Sequence, residues 1–295
     1  MTASPETPAR VVLVDKPEGW TSFQVVRRLK PLLGRRLGHA GTLDPFATGL
    51  LVLLAGQATR ISEFVMEFPK EYLVTVQFGT VSSTQDPSGR LEMTGKTTDE
   101  ATVAQALESF RGDIVQQVPL TSAVKVEGEA LYRRAHRGET CDTPVRRVQV
   151  HHLSLLEFDD AAQRARLRAC TSKGTYIRTL AHDLGRALGV GAYALELRRL
   201  RSGALSVEDA VSPDDVAEAI EAGGSPAVLS VSDVLFSLPR YDVQGVEEKR
   251  ARNGNNLAEA PAGLVRVYGA DGLLGIYEGV TGKSRPRVVF SSPVE

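Results

Sequence analysis

Cysteine is scarce in this chain. Cys141 and Cys170 are the only 2 in 295 residues, and they form no Cys-x-x-Cys pair, which argues against a disulfide framework or a structural zinc site. No apolar run approaches the roughly 18 residues that span a bilayer. The segment Met1 to Arg10 contains Pro and Thr but no apolar signal core. Charge of one sign is also missing: 35 Lys and Arg face 36 Asp and Glu, a formal net charge of −1. That balance argues against a passive nucleic-acid coat but permits a locally basic face. What is present is enough apolar sequence, 42% of residues, for one large domain or a large domain with a small one. The expectation is a reduced, cytoplasmic protein.

Periodicity supplies the elements. Arg10 to Asp15 is a short apolar run that ends in Lys16-Pro17-Glu18-Gly19, a strand followed by a turn. Thr21 or Ser22 caps a helix whose apolar face includes Phe23, Val26 and Leu29, ending at Gly34. Gly38 to Pro45 reads as a loop, and Leu50 to Leu54 as a buried strand. Tyr72, Val74, Val76 and Phe78 alternate as a half-buried strand does, and Ser83 to Gly89 is a polar loop. A capped helix covers Asp99 to Phe110. Val145 to Phe158 and Arg164 to Cys170 form a hairpin, and Tyr176 to Leu188 carries an apolar stripe at helical spacing. Ser212-Pro213-Asp214 opens an acidic helix. Strands and helices interleave without a steady βα beat, which predicts an α+β fold with a mixed, mostly antiparallel sheet flanked by helices. Beyond Leu238 short strands alternate with Gly-rich turns, so the chain divides into residues 1–237 and a small β-rich domain, residues 238–295.

The most informative segment is Gly38-His39-Ala40-Gly41-Thr42-Leu43-Asp44-Pro45-Phe46-Ala47-Thr48-Gly49. Gly and Pro impose an unusual backbone path on one carboxylate, Asp44, and one imidazole, His39. An Asp before Pro is most often a turn or cap residue. A phosphate cradle is a weaker reading, because no Gly-Lys-Ser/Thr ending follows.

Other segments raise Asp44 above the turn reading. They are Val14-Asp15-Lys16-Pro17, Thr21-Ser22, Lys70-Glu71-Tyr72, Ser122-Ala123-Val124-Lys125 with Leu131-Tyr132, Ser172 to Thr179, and Leu197-Arg198-Arg199-Leu200. In this order, over about two thirds of the chain, they resemble the TruB family of tRNA pseudouridine synthases. The resemblance implies a pseudouridine synthase fold acting on uridine 55 in the T-loop of tRNA, with a C-terminal PUA-like module that contacts the tRNA acceptor end; a monomer is expected. It requires no cofactor or metal. It also implies that Asp44 is the catalytic aspartate, Arg178 its basic partner and Tyr72 the aromatic against the target uracil. His39, Tyr176 and Leu197 then line the substrate site, and Lys16 and Pro17 join it while supporting the catalytic loop. One departure stands out: Thr121 occupies the place before Ser122-Ala123 where the family usually has an aromatic.

The residue types suit the chemistry. A single ionised carboxylate can attack C6 or C1′ of the nucleotide, or take a C2′ proton, and these routes remain open. Arginine holds a carboxylate ionised better than lysine, because it stays charged and forks onto both oxygens. An extruded base costs a few kcal/mol, partly recovered on an aromatic ring; a role for the Tyr72 hydroxyl in removing the C5 proton ranks below stacking. Basic residues gather at Arg27 to Arg36, at Arg133, Arg134, His136 and Arg137, at Arg146 and Arg147, and at Arg198, Arg199 and Arg201. Together they suggest phosphate contacts to tRNA. A noncatalytic RNA-binding factor on the same scaffold is the alternative, although it has no use for a carboxylate facing polyanionic RNA. A carboxylate hydrolase lacks a second matched acid.

Overall fold

The computed structural model describes residues 9–139, 141–224, 228–258, 261–280 and 283–294. Residues 1–8, within the segment read as lacking a signal core, lie outside the described residues, as does the side chain of His136. In chain order come β1 (Arg10–Lys16), α1 (Ser22–Leu33), β2 (Leu37–His39), β3 (Thr48–Ala55), a 3-10 turn (Gly56–Ile61) and α2 (Ser62–Glu67). Next are β4 (Lys70–Phe78), the hairpin of β5 (Thr80–Ser82) and β6 (Leu91–Met93), α3 (Glu100–Leu107) and β7 (Gly112–Gln117). A small excursion carries β8 (Lys125–Val126), β9 (Glu129–Ala130) and α4 (Leu131–His136). It returns to the long hairpin of β10 (Val145–Asp159) and β11 (Arg164–Thr171), then α5 (Ile177–Ala187), β12 (Ala192–Ser202) and β13 (Leu205–Ser206). After α6 (Pro213–Glu221), β14 (Val228–Leu229) and α7 (Val231–Val234), the chain ends in β15 (Arg240–Asp242), α8 (Gly245–Arg252), β16 (Gly263–Gly269), β17 (Gly272–Val280) and β18 (Lys283–Val294).

The architecture is α+β. A 10-stranded sheet runs β14-β1-β3-β12-β4-β11-β10-β7, with β13 beside β12 and β2 beside β3. Its pairings are antiparallel except for β3 with β12. Val74, Val76 and Phe78 on β4 point to the face covered by α3 and α5, where they meet Leu167, Leu180 and Leu184. The opposite residues of β11, Arg164, Arg166 and Arg168, point to solvent, as expected for an antiparallel sheet with one wet face. The C-terminal strands form a separate 4-stranded sheet, β15-β16-β17-β18. Leu273, Ile276, Val288 and Phe290 from it share one core with Val11, Leu50 and Val52 of the large sheet, and buried Gln57 accepts from the Ser291 N–H at 2.6 Å. Among the described residues no helix is long and apolar enough to cross a membrane.

Two local expectations need correction. Helix α1 starts at the expected cap, where Thr21 and Gln24 form a capping box, but Phe23 does not belong to its apolar face. Val25, Val26, Leu29 and Leu33 are buried, whereas Phe23 is 68% exposed, since the helical stripe that meets the sheet lies two residues further on. The segment from Gly38 is also not all loop. Leu37 to His39 pairs with β3, because β3 presents free backbone groups that a neighbouring extended segment satisfies.

Where β3 enters the sheet, Gly49 lies so close to β12 that a Cβ there would stand 2.3 Å from the Arg199 carbonyl oxygen and 2.8 Å from its nitrogen. Its φ of +100° adds backbone strain for any other residue. Gly49→Ala is therefore expected to destabilise the fold by about 2 kcal/mol or more. Gly38→Ala, with nothing within 4 Å, should stay within about 0.5 kcal/mol of the parent. Urea midpoints of the two variants check the contrast; equal midpoints would refute it.

Candidate active site

The loop between β2 and β3 is tied down by three side chains from other segments. Ser22 Oγ accepts from the Leu43 N–H at 2.9 Å and donates to the Leu43 carbonyl at 3.1 Å. Lys16, with no exposed surface, donates to the carbonyls of Pro17 at 2.8 Å, Trp20 at 2.6 Å and Pro45 at 3.3 Å. Arg199, 2% exposed, donates to Leu50 O at 2.6 Å and Gly41 O at 3.0 Å. A turn closes the loop, with the Ala47 N–H on the Asp44 carbonyl at 3.1 Å. Two buried cations are thus used on backbone carbonyls, which fixes the path on either side of Asp44. Burial lowers the Lys16 pKa to about 8, against the attraction of Asp44.

Arg178 enters from the first turn of α5 and is 2% exposed. Its Nε lies 2.9 Å from Asp44 Oδ2 without hydrogen-bond alignment, while Nη2 donates to Asp44 Oδ1 at 3.2 Å. On the other side Nη1 donates to Asp86 Oδ2 at 3.0 Å, Thr84 O at 3.0 Å and Thr121 Oγ1 at 2.7 Å. Asp86 is itself fixed: its Oδ1 accepts from Thr84 Oγ1 at 2.7 Å and from the Ser88 N–H at 3.0 Å. One guanidinium therefore lies between two carboxylates. Asp44 keeps 31% of its side-chain surface open, yet protein surrounds most of it. Desolvation raises its pKa above the ordinary value, opposed chiefly by Arg178 and reinforced by Asp86.

Asp44 and Arg178 stand in a cleft of about 710 Å³ that Tyr72, Tyr176 and Leu197 also line. Tyr72 and Leu197 share one sheet face, since Tyr72 pairs with Arg199 and Val74 with Leu197 across β4 and β12. Tyr176 precedes α5, its peptide bracketed by Gln116, which accepts from its N–H at 3.0 Å and donates to its carbonyl at 3.2 Å. His39, Lys16 and Pro17 do not line the cleft. His39 sits in β2 with a buried Nδ1 that has no hydrogen-bond partner, and burial followed by Arg199 lowers its pKa. Lys16 supports the loop from behind.

Sequence reasoning missed Asp86, reading Ser83 to Gly89 only as a polar loop. The available signal was an Asp with Thr and Ser two residues to either side, the pattern of an Asp that bonds its own backbone. It also grouped Arg198, Arg199 and Arg201 as one basic cluster, whose members the structure places in different surroundings. Arg199 is buried inside, whereas Arg198 pairs with Asp15 at 2.6 Å and Arg201 approaches Glu71 at 3.8 Å. Arg134 and Arg137 are likewise taken up by Glu127, Glu129 and Glu139. Arg146 and Arg147 do line the cleft.

The sequence matches the TruB family pseudouridylate synthase (N terminal domain) over residues 29–177 and the tRNA pseudouridylate synthase B C-terminal domain over residues 178–229. It is 40% identical over 290 residues to tRNA pseudouridine synthase B of Ralstonia nicotianae, covering 94% of this chain and 92% of that protein. To the Thermobifida fusca protein of the same name it is 39% identical over 293 residues, covering 95% and 98%. A solved Cbf5-Nop10-Gar1 complex contains a chain similar at TM-score 0.74 and 26% identity, over 96% of this chain and 85% of that one. An H/ACA RNP bound to a substrate RNA containing 2'-deoxyuridine gives TM-score 0.70 and 25% identity, over 92% and 78%. Matched along nearly its whole length, the chain belongs to the TruB family of pseudouridylate synthases.

Proposed function

We propose that this enzyme converts uridine 55 in the T-loop of tRNA to pseudouridine, with Asp44 as the reacting carboxylate. The observation that carries the reading is the Asp44–Arg178 pair, 2.9 Å apart, in a cleft walled by an aromatic ring and an aliphatic side chain. The relatives named tRNA pseudouridine synthase B support tRNA as the substrate; the choice of uridine 55 rests on the family resemblance of the motifs. Action as a monomer is part of the same reading.

The reaction breaks the bond from C1′ to N1, turns the uracil and joins C1′ to C5. C5 loses a proton and N1 gains one, so substrate and product are isomers and no oxidant is consumed. Attack at C6, attack at C1′ and removal of the C2′ proton all require one unprotonated oxygen on Asp44. Arg178 maintains it by stabilising the anion in a place where desolvation favours the acid. The extruded base lies against Tyr72, with Leu197 closing the apolar wall and Arg146 and Arg147 positioned for phosphate.

Asp44→Asn should abolish pseudouridine in a T-loop RNA mapped after treatment, and equal yields from parent and variant would remove the mechanism. The same substitution should leave Tm at pH 7 unchanged or raised. The folded-state pKa lies above the unfolded one, so ionised Asp44 costs stability at neutral pH, and the cost fades as pH falls through the raised value. A Tm loss of several degrees would contradict this assignment. The acid limb of kcat should correspondingly lie above the ordinary carboxylate range in a pH–rate profile; a limb at the unperturbed value of 3.8 counts against Asp44 as the titrating group. Tyr72→Ala should lower kcat/KM by roughly ten- to a hundred-fold through lost stacking. Tyr72→Phe then separates ring from hydroxyl, since retained turnover assigns the effect to the ring.

A further inference from the structure

Arg178 is held by two anions, Asp44 and Asp86, and by two neutral residues, Thr84 and Thr121. Thr121 Oγ1 accepts from Nη1 at 2.7 Å, the shortest contact of the guanidinium, and the Thr121 carbonyl accepts from Nη2 at 3.3 Å. Nη1 has two hydrogens but three acceptors within reach: Thr121 Oγ1, Asp86 Oδ2 and Thr84 O. Asp86 cannot follow a moving guanidinium, because Thr84 and Ser88 fix its other oxygen. Rotation of the Arg178 plane toward the Asp86 side would therefore lengthen the hydrogen bond from Nη2 to Asp44 Oδ1, which at 3.2 Å is already longer than the 3.0 Å bond to Asp86. The two Thr121 oxygens bind one terminal nitrogen each and oppose that rotation.

We propose that Thr121 is a positioning residue whose hydroxyl divides Arg178 between Asp86 and Asp44 and so sets how firmly the guanidinium meets the reacting carboxylate. This rests on the reading of Asp44 as catalytic. The hydroxyl accepts from Arg178, and Thr121 also borders the cleft, so RNA affinity is the readout that separates positioning of the guanidinium from direct contact with the substrate. The charged groups that act on Asp44 are Arg178, Asp86 and Lys16. Of these Arg178 is the one that Thr121 touches, so a Thr121 substitution alters the ionisation of Asp44 through that contact.

The test compares Thr121→Val, nearly the same shape without the hydroxyl, with Thr121→Ser, which restores it. Single-turnover rate, RNA affinity, Tm and the acid limb of the rate are measured on T-loop RNA. Thr121→Val should slow the single-turnover rate roughly ten- to a hundred-fold, with RNA affinity changed by less than about threefold. Its acid limb should move to higher pH, because a loosened Arg178 holds Asp44 less well as the anion, and Thr121→Ser should recover both rate and limb. A lower Tm with an unmoved acid limb and parent-like rate overturns the proposal in favour of a structural role. If Thr121→Val does not fold, Thr121→Ala, which lacks the hydroxyl and adds no bulk, is judged by the same criteria. Asp44→Asn run in parallel separates the two levels. An active Asp44→Asn overturns the catalytic reading and this inference with it, whereas an inactive Asp44→Asn beside a parent-like Thr121→Val overturns the positioning role alone.

Discussion

Everything in the site depends on one buried cation. Arg178 has lost its water, and the desolvation of a guanidinium is tolerable only when its donors find fixed acceptors. Those acceptors come from Asp44, Thr84, Asp86 and Thr121, residues 134, 94, 92 and 57 positions away in sequence. No local element can assemble this set. The fold must first form the sheet that brings the β2–β3 loop, the β5–β6 hairpin, the segment after β7 and the start of α5 together. Catalytic geometry is therefore a property of the whole topology, and damage to any of these four segments reaches Asp44 through the same guanidinium.

Stiffness around Asp44 has a separate origin. Lys16 and Arg199 are both fully enclosed, and both serve carbonyls of the loop or its borders. Neither charge is available to phosphate, which is why counting cations in the sequence overstates the basic surface. Lys16 also carries a thermodynamic cost. Its folded-state pKa of about 8 lies below the model-peptide value of 10.5, so the cost is full at neutral pH and fades as pH rises between those values. The hydrogen bonds it gives to three carbonyls offset that cost.

Asp44 was legible because its signal is local: a Gly-rich turn, a Pro, and companion segments in a recognisable order. The alternation of Tyr72 to Phe78 was legible for the same reason, as a period of two survives in the bare sequence. Phe23 was misplaced because a stripe of four residues per two turns tolerates a shifted phase until the partner surface is known. The roles of Arg199 and Asp86 in the site were invisible because their partners lie far along the chain. Polar groups that meet across long separations leave no periodic trace, whereas apolar packing does.

Strand β12 shows how finely the cleft depends on register. Between Ala194 and Glu196 the pairing with β4 slips by one residue, and it slips again between Arg199 and Arg201. With strict alternation from Ala194, Glu196 and Arg198 would share its face, the face of Val76, and Leu197 and Arg199 would point to solvent. The first bulge reverses this, turning Leu197 toward the base-binding wall and Arg199 into the interior, where it holds the loop that carries Asp44. The second lets Ser202 rejoin the same face opposite Lys70. One inserted residue thus decides whether the strand builds a hydrophobic wall or places an uncompensated carboxylate, Glu196, beside the reacting one. The irregularity in β12 is a structural requirement of the site, as the pairing of Arg199 with Tyr72 across the strands makes plain.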